Sequence, residues 1–397
     1  MPADPVLSTA CFDRPAHWER EEVYLSGDDF FSAVLAGLRS ARQTVDFEVY
    51  SFNDDELGRR VADELCATAR RGVRVRVMVD GVGSPLWAGQ FLWKLVEAGA
   101  HSKVYHPLPW VFWSFSTVWR RGFNRFLGLF LKVNRRNHRK VCIVDRRYAW
   151  LGSMNVRACH LKAISGEKAW RDTAVGIAGP GVIDLCAAFE KAWRRARGSR
   201  RGVQRAFLGL RRHRHELLSQ VVRLNDTRGK RKVYQGDLLQ RIARAHRRVW
   251  ITNAYFVPNR QLLQTLRFAA GIGVDVRLIV PQKSDVFFMN WVVTAFYSEL
   301  IGAGVRIFEY MPTILHSKTM IVDDWALIGS TNLNYRSWLH DLEVDVVLAD
   351  PRSRFMLQTA FVQDQRASRE VLAKDLVRLS WVRKLGGKIV LMFRYWI

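Results

Sequence analysis

One pattern of chemically useful residues occurs twice in the sequence, as His-x-Lys-x4-Asp followed by Gly-Ser-x-Asn. The first copy consists of His138, Lys140, Asp145, Ser153 and Asn155. The second copy consists of His316, Lys318, Asp323, Ser330 and Asn332. A single short pattern recurs by chance, but two copies with the same sequel at the same place in a repeat indicate a functional site.

The apolar residues after each lysine predict a buried strand, and alternate residues of a strand face the same side. The histidine and lysine of each copy are therefore expected to project together. A turn and a return strand then deliver Gly-Ser-x-Asn, whose small residues let donors approach a ligand closely. Two imidazoles, two ammonium groups and two carboxamides suit a phosphodiester. The expected phosphate-binding side chains are Lys140, Lys318, Asn155, Asn332, Ser153 and Ser330.

Two histidines at one phosphorus atom can divide the work of a transfer reaction. One imidazole would attack phosphorus and form a covalent phosphohistidine. The other would protonate the leaving alkoxide and then deprotonate the acceptor alcohol. Histidine serves both roles because its neutral and cationic forms are both accessible near pH 7. This chemistry needs no metal, and the sequence has no carboxylate cluster to hold one, so we expect no cofactor.

The order of the predicted elements also repeats. Strands alternate with helices in each half, which predicts an α/β fold with one helix-covered sheet per half, packed face to face around a shared site. The main elements of the first half are a helix, a strand, a helix and a strand at 30–42, 44–50, 55–71 and 73–80. Those of the second half follow at 238–248, 249–256, 260–270 and 273–280.

The repeat divides the chain into a first half, 20–198, a linker rich in arginine and histidine, 199–232, and a second half, 233–397. The first half contains an insertion, 108–136, to which nothing corresponds ahead of His316.

The insertion carries aromatic residues and cations but no acidic residue. Four of its aromatic residues recur at helical spacing, namely Trp119, Phe123, Phe126 and Phe130. A basic, aromatic, amphipathic helix suits the interface of an anionic bilayer, so we interpret 110–132 as a contact to the membrane surface. The alternative is that these aromatic side chains pack into the protein's own core. The C-terminal stretch 381–396 is similar in kind and is either a second surface anchor or a docked last helix.

The charge balance indicates a polyanionic partner. The 397 residues include 62 Lys and Arg against 37 Asp and Glu, which gives a net charge of +25. Nucleic acid and an anionic membrane surface both fit this excess. Cysteines without Cys-x-x-Cys spacing predict a reducing compartment and no disulfide framework. No signal peptide is evident, and no apolar run reaches the roughly 20 residues of a spanning helix, so we expect that the protein does not cross a membrane.

The doubled motif resembles the signature of the phospholipase D superfamily, and the resemblance covers nearly the whole chain. More narrowly, the chain is similar to bacterial cardiolipin synthases of the type without N-terminal transmembrane helices, through the segments 80–84, 253–258 and 308–310. The resemblance implies an active-site set of His138, Lys140, Asp145, His316, Lys318 and Asp323. It also implies a phosphohistidine intermediate, with His138 as the nucleophile and His316 as the acid and base.

The superfamily also places a carboxylate on a later strand to orient each histidine. Asp172 and Glu343 fit that role, since a buried carboxylate on the far ring nitrogen fixes the tautomer and supports the imidazolium. The alternative for each is a strand-edge acid that faces solvent. We expect Asp145 and Asp323 to brace the motif rather than to touch substrate. The aromatic insertion is longer than the resemblance leads us to expect, which bears on lipid access and not on the chemistry.

The resemblance implies a phosphatidyltransferase that joins two molecules of the anionic lipid phosphatidylglycerol into cardiolipin and releases glycerol. It would work as a peripheral protein on the cytoplasmic side of a bacterial inner membrane. The alternatives are a hydrolase with water as acceptor, a nuclease, and a membrane-binding scaffold without catalysis. Aromatic side chains also stack on nucleic acid, but a helical Trp and Phe stripe beside cations fits lipid better, so we expect no dedicated nucleic-acid partner. Phosphatidylethanolamine as second lipid and the oligomeric state stay open.

Overall fold

The computed structural model describes residues 18–107, 135–196, 221–286 and 288–377 of the chain. These residues form two mixed β-sheets, one from each half, and helices pack on both faces of each sheet. The arrangement confirms the predicted α/β fold with two repeats.

The first sheet has seven strands in spatial order β1-β7-β6-β5-β2-β3-β4. Numbered along the chain, they are Arg20–Tyr24, Thr44–Val49, Arg74–Asp80, His101–Tyr105, Val141–Val144, Tyr148–Gly152 and Ala174–Ala178. β2, β3 and β4 run parallel and are connected through helices, as parallel neighbours require. β5, which follows the first motif histidine, pairs antiparallel with β2 and β6, so the first motif lies in the middle of the sheet.

The second sheet has eight strands in spatial order β15-β11-β10-β9-β12-β13-β14-β8. Along the chain, β8 to β15 are Val222–Leu224, Arg248–Asn253, Asp275–Pro281, Arg306–Tyr310, Lys318–Val322, Trp325–Gly329, Val344–Val347 and Ser368–Val371. The motif strand β12 pairs antiparallel with β9 and β13, as β5 does with β2 and β6. The two motifs therefore occupy equivalent places in the two sheets.

Helices connect the parallel strands and cover the outer faces of the sheets. Those of the described residues, numbered α1 to α13 along the chain, are Gly27–Ser40, Glu56–Arg70, Trp87–Gln90, Leu92–Glu97, Lys162–Ser165, Val182–Arg195, Arg228–Ala243, Arg260–Gly271, Met289–Thr294, Tyr297–Gly302, Tyr335–Leu339, Pro351–Arg366 and Ala373–Val377. Two short 3-10 segments are Ala158–His160 and Gly166–Lys168. α1, α2 and α8 begin at the side-chain caps Ser26, Asp55 and Asn259, which satisfy backbone N–H groups that lack a partner in the first turn.

A shared apolar core lies between the two sheets. It combines Val141 of β5 with Ile321 of β12, and the inner helices α6 and α12 contribute Phe189 and Phe361. Separate outer cores lie under α1 and α2 in the first half and under α7 and α8 in the second. Burial of apolar surface contributes about 25 cal/mol per Å², so the shared core holds the halves face to face.

Backbone hydrogen bonds join the halves beside the motifs. The His138 N–H donates to the carbonyl of Leu342 at 3.0 Å, and the His316 N–H donates to the carbonyl of Arg171 at 2.8 Å. Both contacts belong to short parallel bridges between the halves. The backbone of each motif histidine is thus held by the half that does not contain it.

The predicted linker, 199–232, differs from the structure at its C-terminal end. Val222–Leu224 form β8, which pairs with β14 at the edge of the second sheet, and α7 begins at Arg228. The basic composition concealed this strand, because Arg223 is buried there and forms an ion pair with Asp237 at 3.2 Å. A charged residue can occupy a buried strand when an opposite charge compensates it.

Several predictions concern residues outside the described ranges. The proposed membrane segment 110–132, the C-terminal stretch 381–396 and the first part of the linker are among them. The limits of the two halves, 20–198 and 233–397, stay predictions. In the part of the chain that is described, no helix has the length and apolar character needed to cross a membrane.

Candidate active site

The first motif leads into β5, where strand geometry sets the directions of its side chains. His138 and Lys140 project to one side, and the Lys140 ammonium donates to the backbone carbonyl of His138 at 2.6 Å. Arg139, between them, points to the other side, and its guanidinium donates to Glu48 at 3.1 Å. The imidazole and the ammonium group therefore lie next to each other, as the sequence predicts.

The second motif repeats this geometry at β12. Ser317 points away from the site, and its hydroxyl lies 2.7 Å from that of Thr173, whereas the Lys318 ammonium donates to the backbone carbonyl of His316. The side chains of His138 and His316 are only 12% and 4% exposed. The pKa of His138 is lowered by burial and by the charge of Lys140, and a charge on His316 would add to the effect.

Each motif histidine is held by a carboxylate from the opposite half. Nδ1 of His138 donates to Glu343, with 3.0 Å to each carboxylate oxygen. Nδ1 of His316 donates to Oδ2 of Asp172 at 2.8 Å. Both carboxylates are buried and precede the strands β14 and β7. With the proton fixed on Nδ1, Nε2 of each ring keeps a free lone pair.

The serines of the two Gly-Ser-x-Asn segments bond these carboxylates. The Ser153 hydroxyl donates to Oδ1 of Asp172, and the Ser330 hydroxyl donates to Oε2 of Glu343 at 2.6 Å. Both serines are fully buried. The sequence predicts these serines as phosphate ligands, but in the structure they donate to the carboxylates instead. A charged carboxylate is a strong acceptor, so it engages the hydroxyl that a phosphate would need.

The two asparagines of Gly-Ser-x-Asn lie buried beside the motifs. Oδ1 of Asn155 accepts the backbone N–H of Ser51 at 3.1 Å, so its amide group is oriented by the segment that follows β2. Oδ1 of Asn332 is buried and has no hydrogen-bond partner among the described residues. A buried polar atom without a partner is uncommon, and an amide oxygen accepts, so Oδ1 of Asn332 is available to a ligand group that donates, such as a hydroxyl.

The motif aspartates lie away from the imidazoles. Asp145 accepts the backbone N–H groups of Gln43 and Thr44 at 2.7 and 2.9 Å, and Asp323 accepts those of residues 246–248 at 2.9 to 3.0 Å. At about 3.3 Å per residue of strand, Asp145 lies roughly 20 Å from His138. Both aspartates fasten the turn after the motif strand, which agrees with the expected bracing role.

Burial sets the protonation of the site. It lowers the pKa of His138 well below its ordinary value, with help from the charge of Lys140. Burial and the charge of Lys318 also lower the pKa of His316, against the attraction of Asp172. Because an apolar environment disfavours the charged form, both rings are neutral near pH 7 when no anion is bound.

The motif lysines are similarly affected. Burial lowers the pKa of Lys140 to about 7, and the charge of Lys318 adds to the effect. Burial lowers the pKa of Lys318 to about 8, although Asp172 and Glu343 oppose the shift. A phosphate between the two ammonium groups would restore their charge, so the site is suited to bind an anion.

The pKa values of the two orienting carboxylates, Asp172 and Glu343, are shifted in opposite directions. Burial would raise the pKa of Asp172, but the charge of His316 and its hydrogen bond lower it below the ordinary value. Burial raises the pKa of Glu343, although Lys140 and Ser330 oppose the shift. Asp172 is therefore the more firmly ionised of the two, and the dyads are not electrostatically equivalent.

Two tyrosines that sequence reasoning missed line the site. The Tyr50 ring contacts the His138 ring edge-on at 4.9 Å, and the Lys140 ammonium lies 5.4 Å from the same ring. Tyr255 has the same relationship to His316, at 6.0 Å. Each tyrosine follows the strand that pairs with its motif strand, β2 or β9. This position in the sequence could have identified the two tyrosines as site residues, because residues at the ends of neighbouring strands lie close together.

A third histidine was also missed. His160 is buried, and its Nδ1 lies 3.4 Å from the Asp172 carboxylate. Trp170 contacts both His160 and His316, at 5.4 and 5.6 Å between ring centroids. His160 follows Gly-Ser-x-Asn in a stretch with no clear periodicity, so the sequence offered only its residue type. In the described residues, no cluster of His, Cys, Asp or Glu could hold a metal ion.

The chain matches known proteins along most of its length. The family model described as "Cardiolipin synthase, PLD-like domain" matches residues 34–163 and again 238–365. Cardiolipin synthase A of Pseudomonas entomophila is 32% identical over 370 residues, which is 93% of this chain and 73% of that protein. Cardiolipin synthase B of Salmonella typhimurium is 32% identical over 327 residues, which is 82% of this chain and 75% of that protein.

Solved structures share the fold at lower identity. Phosphatidylserine synthase of Haemophilus influenzae superimposes with a TM-score of 0.66 at 15% identity, over 96% of both chains. Polyphosphate kinase of Porphyromonas gingivalis superimposes with a TM-score of 0.53 at 13% identity, over 91% of this chain and 54% of that one. Two family matches, one in each half and each containing a motif histidine, establish that the chain belongs to the cardiolipin synthase, PLD-like domain family.

Proposed function

We propose that this protein is a cardiolipin synthase, which transfers a phosphatidyl group from one phosphatidylglycerol to another through a phosphohistidine. The observation that carries the proposal is the pair of crossed dyads. Each Nδ1 is bonded to a buried carboxylate at 2.8 to 3.0 Å, so two Nε2 atoms remain for one phosphorus. The relatives at 32% identity named cardiolipin synthase A and B support the choice of substrate.

In the first step, Nε2 of His138 attacks the phosphorus of phosphatidylglycerol. The bound phosphate anion favours the imidazolium form of His316, which carries a proton on Nε2 as well as on Nδ1. A P–N bond forms, the P–O bond to glycerol breaks, and the His316 imidazolium gives its Nε2 proton to the leaving alkoxide. The Glu343 carboxylate accepts the Nδ1–H of His138 and stabilises the charge that the ring acquires. General acid assistance of this kind contributes about 10²–10⁴-fold, which an alkoxide leaving group needs.

In the second step, the primary hydroxyl of a second phosphatidylglycerol replaces glycerol in the site. His316, now neutral, takes the hydroxyl proton, and the oxygen attacks phosphorus as the P–N bond to His138 breaks. The products are cardiolipin and free enzyme. Glycerol, which left with the first proton, is the other product, and His316 ends as the imidazolium with the proton of the second lipid's hydroxyl.

The remaining polar side chains stabilise phosphate. Lys140 and Lys318 flank the histidines and offset the charge on the non-bridging oxygens, which grows in the transition state. Asn155 and Asn332 would donate to the same oxygens through their Nδ2 groups, and Oδ1 of Asn332, which has no partner among the described residues, would accept from a substrate hydroxyl. Ser153 and Ser330 act through the carboxylates, as their bonds to Asp172 and Glu343 suggest.

The substrate lies in a membrane, so we propose that the protein works as a peripheral protein on the cytoplasmic side of the bacterial inner membrane. The net charge of +25 suits an anionic bilayer. The basic, aromatic segment 110–132 follows β4 in the chain and is the proposed contact. Leu86 and Trp93, 66% and 75% exposed, add apolar surface in the same half.

Incubation of the purified protein with phosphatidylglycerol vesicles tests the proposal. Cardiolipin and glycerol should form in equal amounts, and His138→Ala and His316→Ala should abolish both. His101→Ala, at an exposed histidine of β4, is the matched control and should retain activity. Phosphatidic acid without cardiolipin would assign a hydrolase instead, and nicking of added plasmid without lipid turnover would assign a nuclease.

A further inference from the structure

His160 is a third histidine at the site and lies entirely inside the protein. It is 2% exposed and belongs to the 3-10 segment that follows Asn155. Nε2 of His160 accepts the backbone N–H of Asn155 at 3.3 Å. Nε2 is therefore an acceptor, and the proton of the neutral ring is on Nδ1.

The protonated nitrogen of His160 faces the carboxylate that holds His316. Nδ1 lies 3.4 Å from Oδ2 of Asp172 and has no closer partner among the described residues. The same Oδ2 accepts Nδ1–H of His316 at 2.8 Å. One carboxylate oxygen thus accepts a short hydrogen bond from the first imidazole and lies in a longer contact with the N–H of the second.

The second half has a different residue at the corresponding place. Ser337 follows Ser330 at the same spacing at which His160 follows Ser153. Its hydroxyl donates to Oε1 of Glu343 at 2.6 Å, while Ser330 donates to Oε2. Both carboxylates thus have donors at both oxygens, since Ser153 and the Thr173 N–H donate to Oδ1 of Asp172. The difference is that a second imidazole lies beside Asp172, whereas a serine hydroxyl lies beside Glu343.

We infer that His160 is a positioning residue that acts through Asp172 on His316, and that it makes the two motif histidines unequal by restraining the basicity of His316. The inference rests on the proposed function, in which His316 gives and takes protons at the substrate. No substrate atom needs to touch His160.

The physical reason is competition for one oxygen. An N–H beside Oδ2 draws on the electron density that would otherwise stabilise the imidazolium form of His316. Without it, Asp172 would support the cation more strongly and His316 would release its proton less readily. His160 stays neutral throughout, because burial lowers its pKa to about 3.

Other charged and titratable groups also face the two rings. Those around His316 are Asp172, Lys318, Asp285, His138 and the ring of Tyr255. Those around His160 are Asp172, His316, Arg157 and Lys318. None of them differs between the variants proposed below, so a change in the pH profile can be assigned to the contact between His160 and Asp172.

Two conservative substitutions distinguish the role of Nδ1 of His160 from that of Nε2. The amide nitrogen of asparagine takes the position of Nδ1, so His160→Asn keeps a donor toward Asp172. The amide of glutamine reaches the position of Nε2, so His160→Gln keeps the acceptor for the Asn155 N–H and loses the donor. A difference between these two variants reports the contact to Asp172 and not the filling of the cavity.

The readout uses two leaving groups in single-turnover experiments across a range of pH. Glycerol leaves phosphatidylglycerol as an alkoxide and needs the proton of His316. The p-nitrophenolate group of phosphatidyl-p-nitrophenol leaves without a proton, so its burst reports attack by His138 alone. A residue that acts on His316 changes the first reaction and spares the second, whereas a merely structural residue changes both.

We expect His160→Gln to move the alkaline limb of glycerol release to higher pH. On that limb, glycerol release relative to its own maximum should rise about threefold, less than the roughly fivefold effect of an ordinary hydrogen bond, because Nδ1 of His160 makes a longer contact to Asp172. The burst of p-nitrophenolate should keep its profile, and His160→Asn should restore the wild-type limb. An unmoved limb in His160→Gln, an equal shift in His160→Asn, or a parallel shift of the p-nitrophenolate profile would overturn the inference.

The same experiment separates this inference from the proposed function. A wild-type protein that gives no stoichiometric burst of p-nitrophenolate contradicts the phosphohistidine step itself. A normal wild-type burst together with identical profiles for both His160 variants contradicts only the role of His160.

Discussion

His316 and Asp172 come from different halves of the chain and are joined by a hydrogen bond of 2.8 Å between Nδ1 and Oδ2. His138 and Glu343 form the reciprocal pair. Neither half therefore contains a complete dyad, although each contains a complete motif. The chemistry depends on the interface between the halves as much as on the residues of the motifs.

The crossed pair leads to a prediction for Asp172→Asn. The amide keeps the shape of the side chain but can present an N–H to His316, which would move the ring proton to Nε2 and block its role as a base. We expect cardiolipin formation to fall by about 10²–10⁴-fold with a melting temperature close to that of the wild type. Thin-layer analysis of labelled phosphatidylglycerol and circular dichroism measure the two quantities.

Asp324→Asn is the control for this substitution, because its side chain is 77% exposed and forms a surface ion pair with Arg247. It should change neither quantity. Wild-type activity in Asp172→Asn would show that the Asp172 carboxylate does not set the tautomer of His316.

The repeat and the two motifs can be predicted from the sequence. The contacts that surround the motif histidines can be predicted less well, and the structure explains why. Strands such as Thr44–Val49 and Arg74–Asp80 were found within one residue of their limits, because alternation and flanking helices are local signals. Asp172 and Glu343 were predicted to orient the histidines, but which histidine each one contacts depends on how the two sheets face each other. No local pattern carries that information.

β8 and His160 show two further limits. Val222–Leu224 reads as part of a basic linker because Arg223 forms its ion pair with Asp237, a residue of the following helix. His160 acquires its role from contacts with Asn155 and Asp172 in a 3-10 segment, where hydrophobic periodicity gives no guidance. Both cases are polar residues whose partners make burial possible, and composition alone cannot reveal the partners.

The buried motif lysines predict a trade-off between stability and activity. Burial lowers the pKa of Lys318 to about 8 from an ordinary value of 10.5. The unfolded chain thus binds more protons than the folded one between these values, and the unfolding free energy rises with pH across that window. Lys318→Met removes the cost of the buried charge. It should stabilise the protein at pH 7 by on the order of 2 kcal/mol and abolish transfer.

Urea unfolding at several pH values tests this expectation. The stability advantage of Lys318→Met should be largest near pH 7 and should shrink toward pH 10, because the wild-type lysine loses its charge in the folded state. Lys168→Met, at an exposed position, should show no such trend. A variant that is less stable than the wild type at pH 7 would mean that the ammonium is well compensated in the fold.

Asp145 stabilises the folded protein at neutral pH, in contrast to the buried charge of Lys318. Burial alone would raise the pKa of Asp145, but the N–H groups of Thr44 and Gln43 lower it below the ordinary value. Its contribution to stability is therefore present above the unfolded pKa of 3.8 and is lost as the pH falls through the lower folded value. Asp145→Ala should destabilise the protein by about 1–2 kcal/mol at pH 7.

Activity measured well below the melting temperature distinguishes bracing from catalysis. Asp145→Ala should retain more than a tenth of the wild-type rate of glycerol release at 20 °C, and its stability deficit should shrink at acid pH. A loss as deep as that of His138→Ala, in a protein that is still folded, would place the carboxylate in the chemistry after all.

The glycine of the second Gly-Ser-x-Asn segment predicts how closely β13 and β14 must approach. A Cβ at Gly329 would lie 2.5 Å from the Val344 carbonyl oxygen and equally close to Cα of Asp345. Backbone atoms cannot move aside cheaply, so Gly329→Ala must push β14 away and shift Glu343, which directly precedes that strand. We expect a loss of at least about 2 kcal/mol in unfolding free energy and a larger fractional loss of the p-nitrophenolate burst than of folded protein.

Gly236→Ala, where a Cβ meets nothing within 4 Å in α7, should be neutral or slightly stabilising. Equal behaviour of the two alanine variants would show that the strands have room for a methyl group, and that Glu343 does not depend on this contact for its place beside His138.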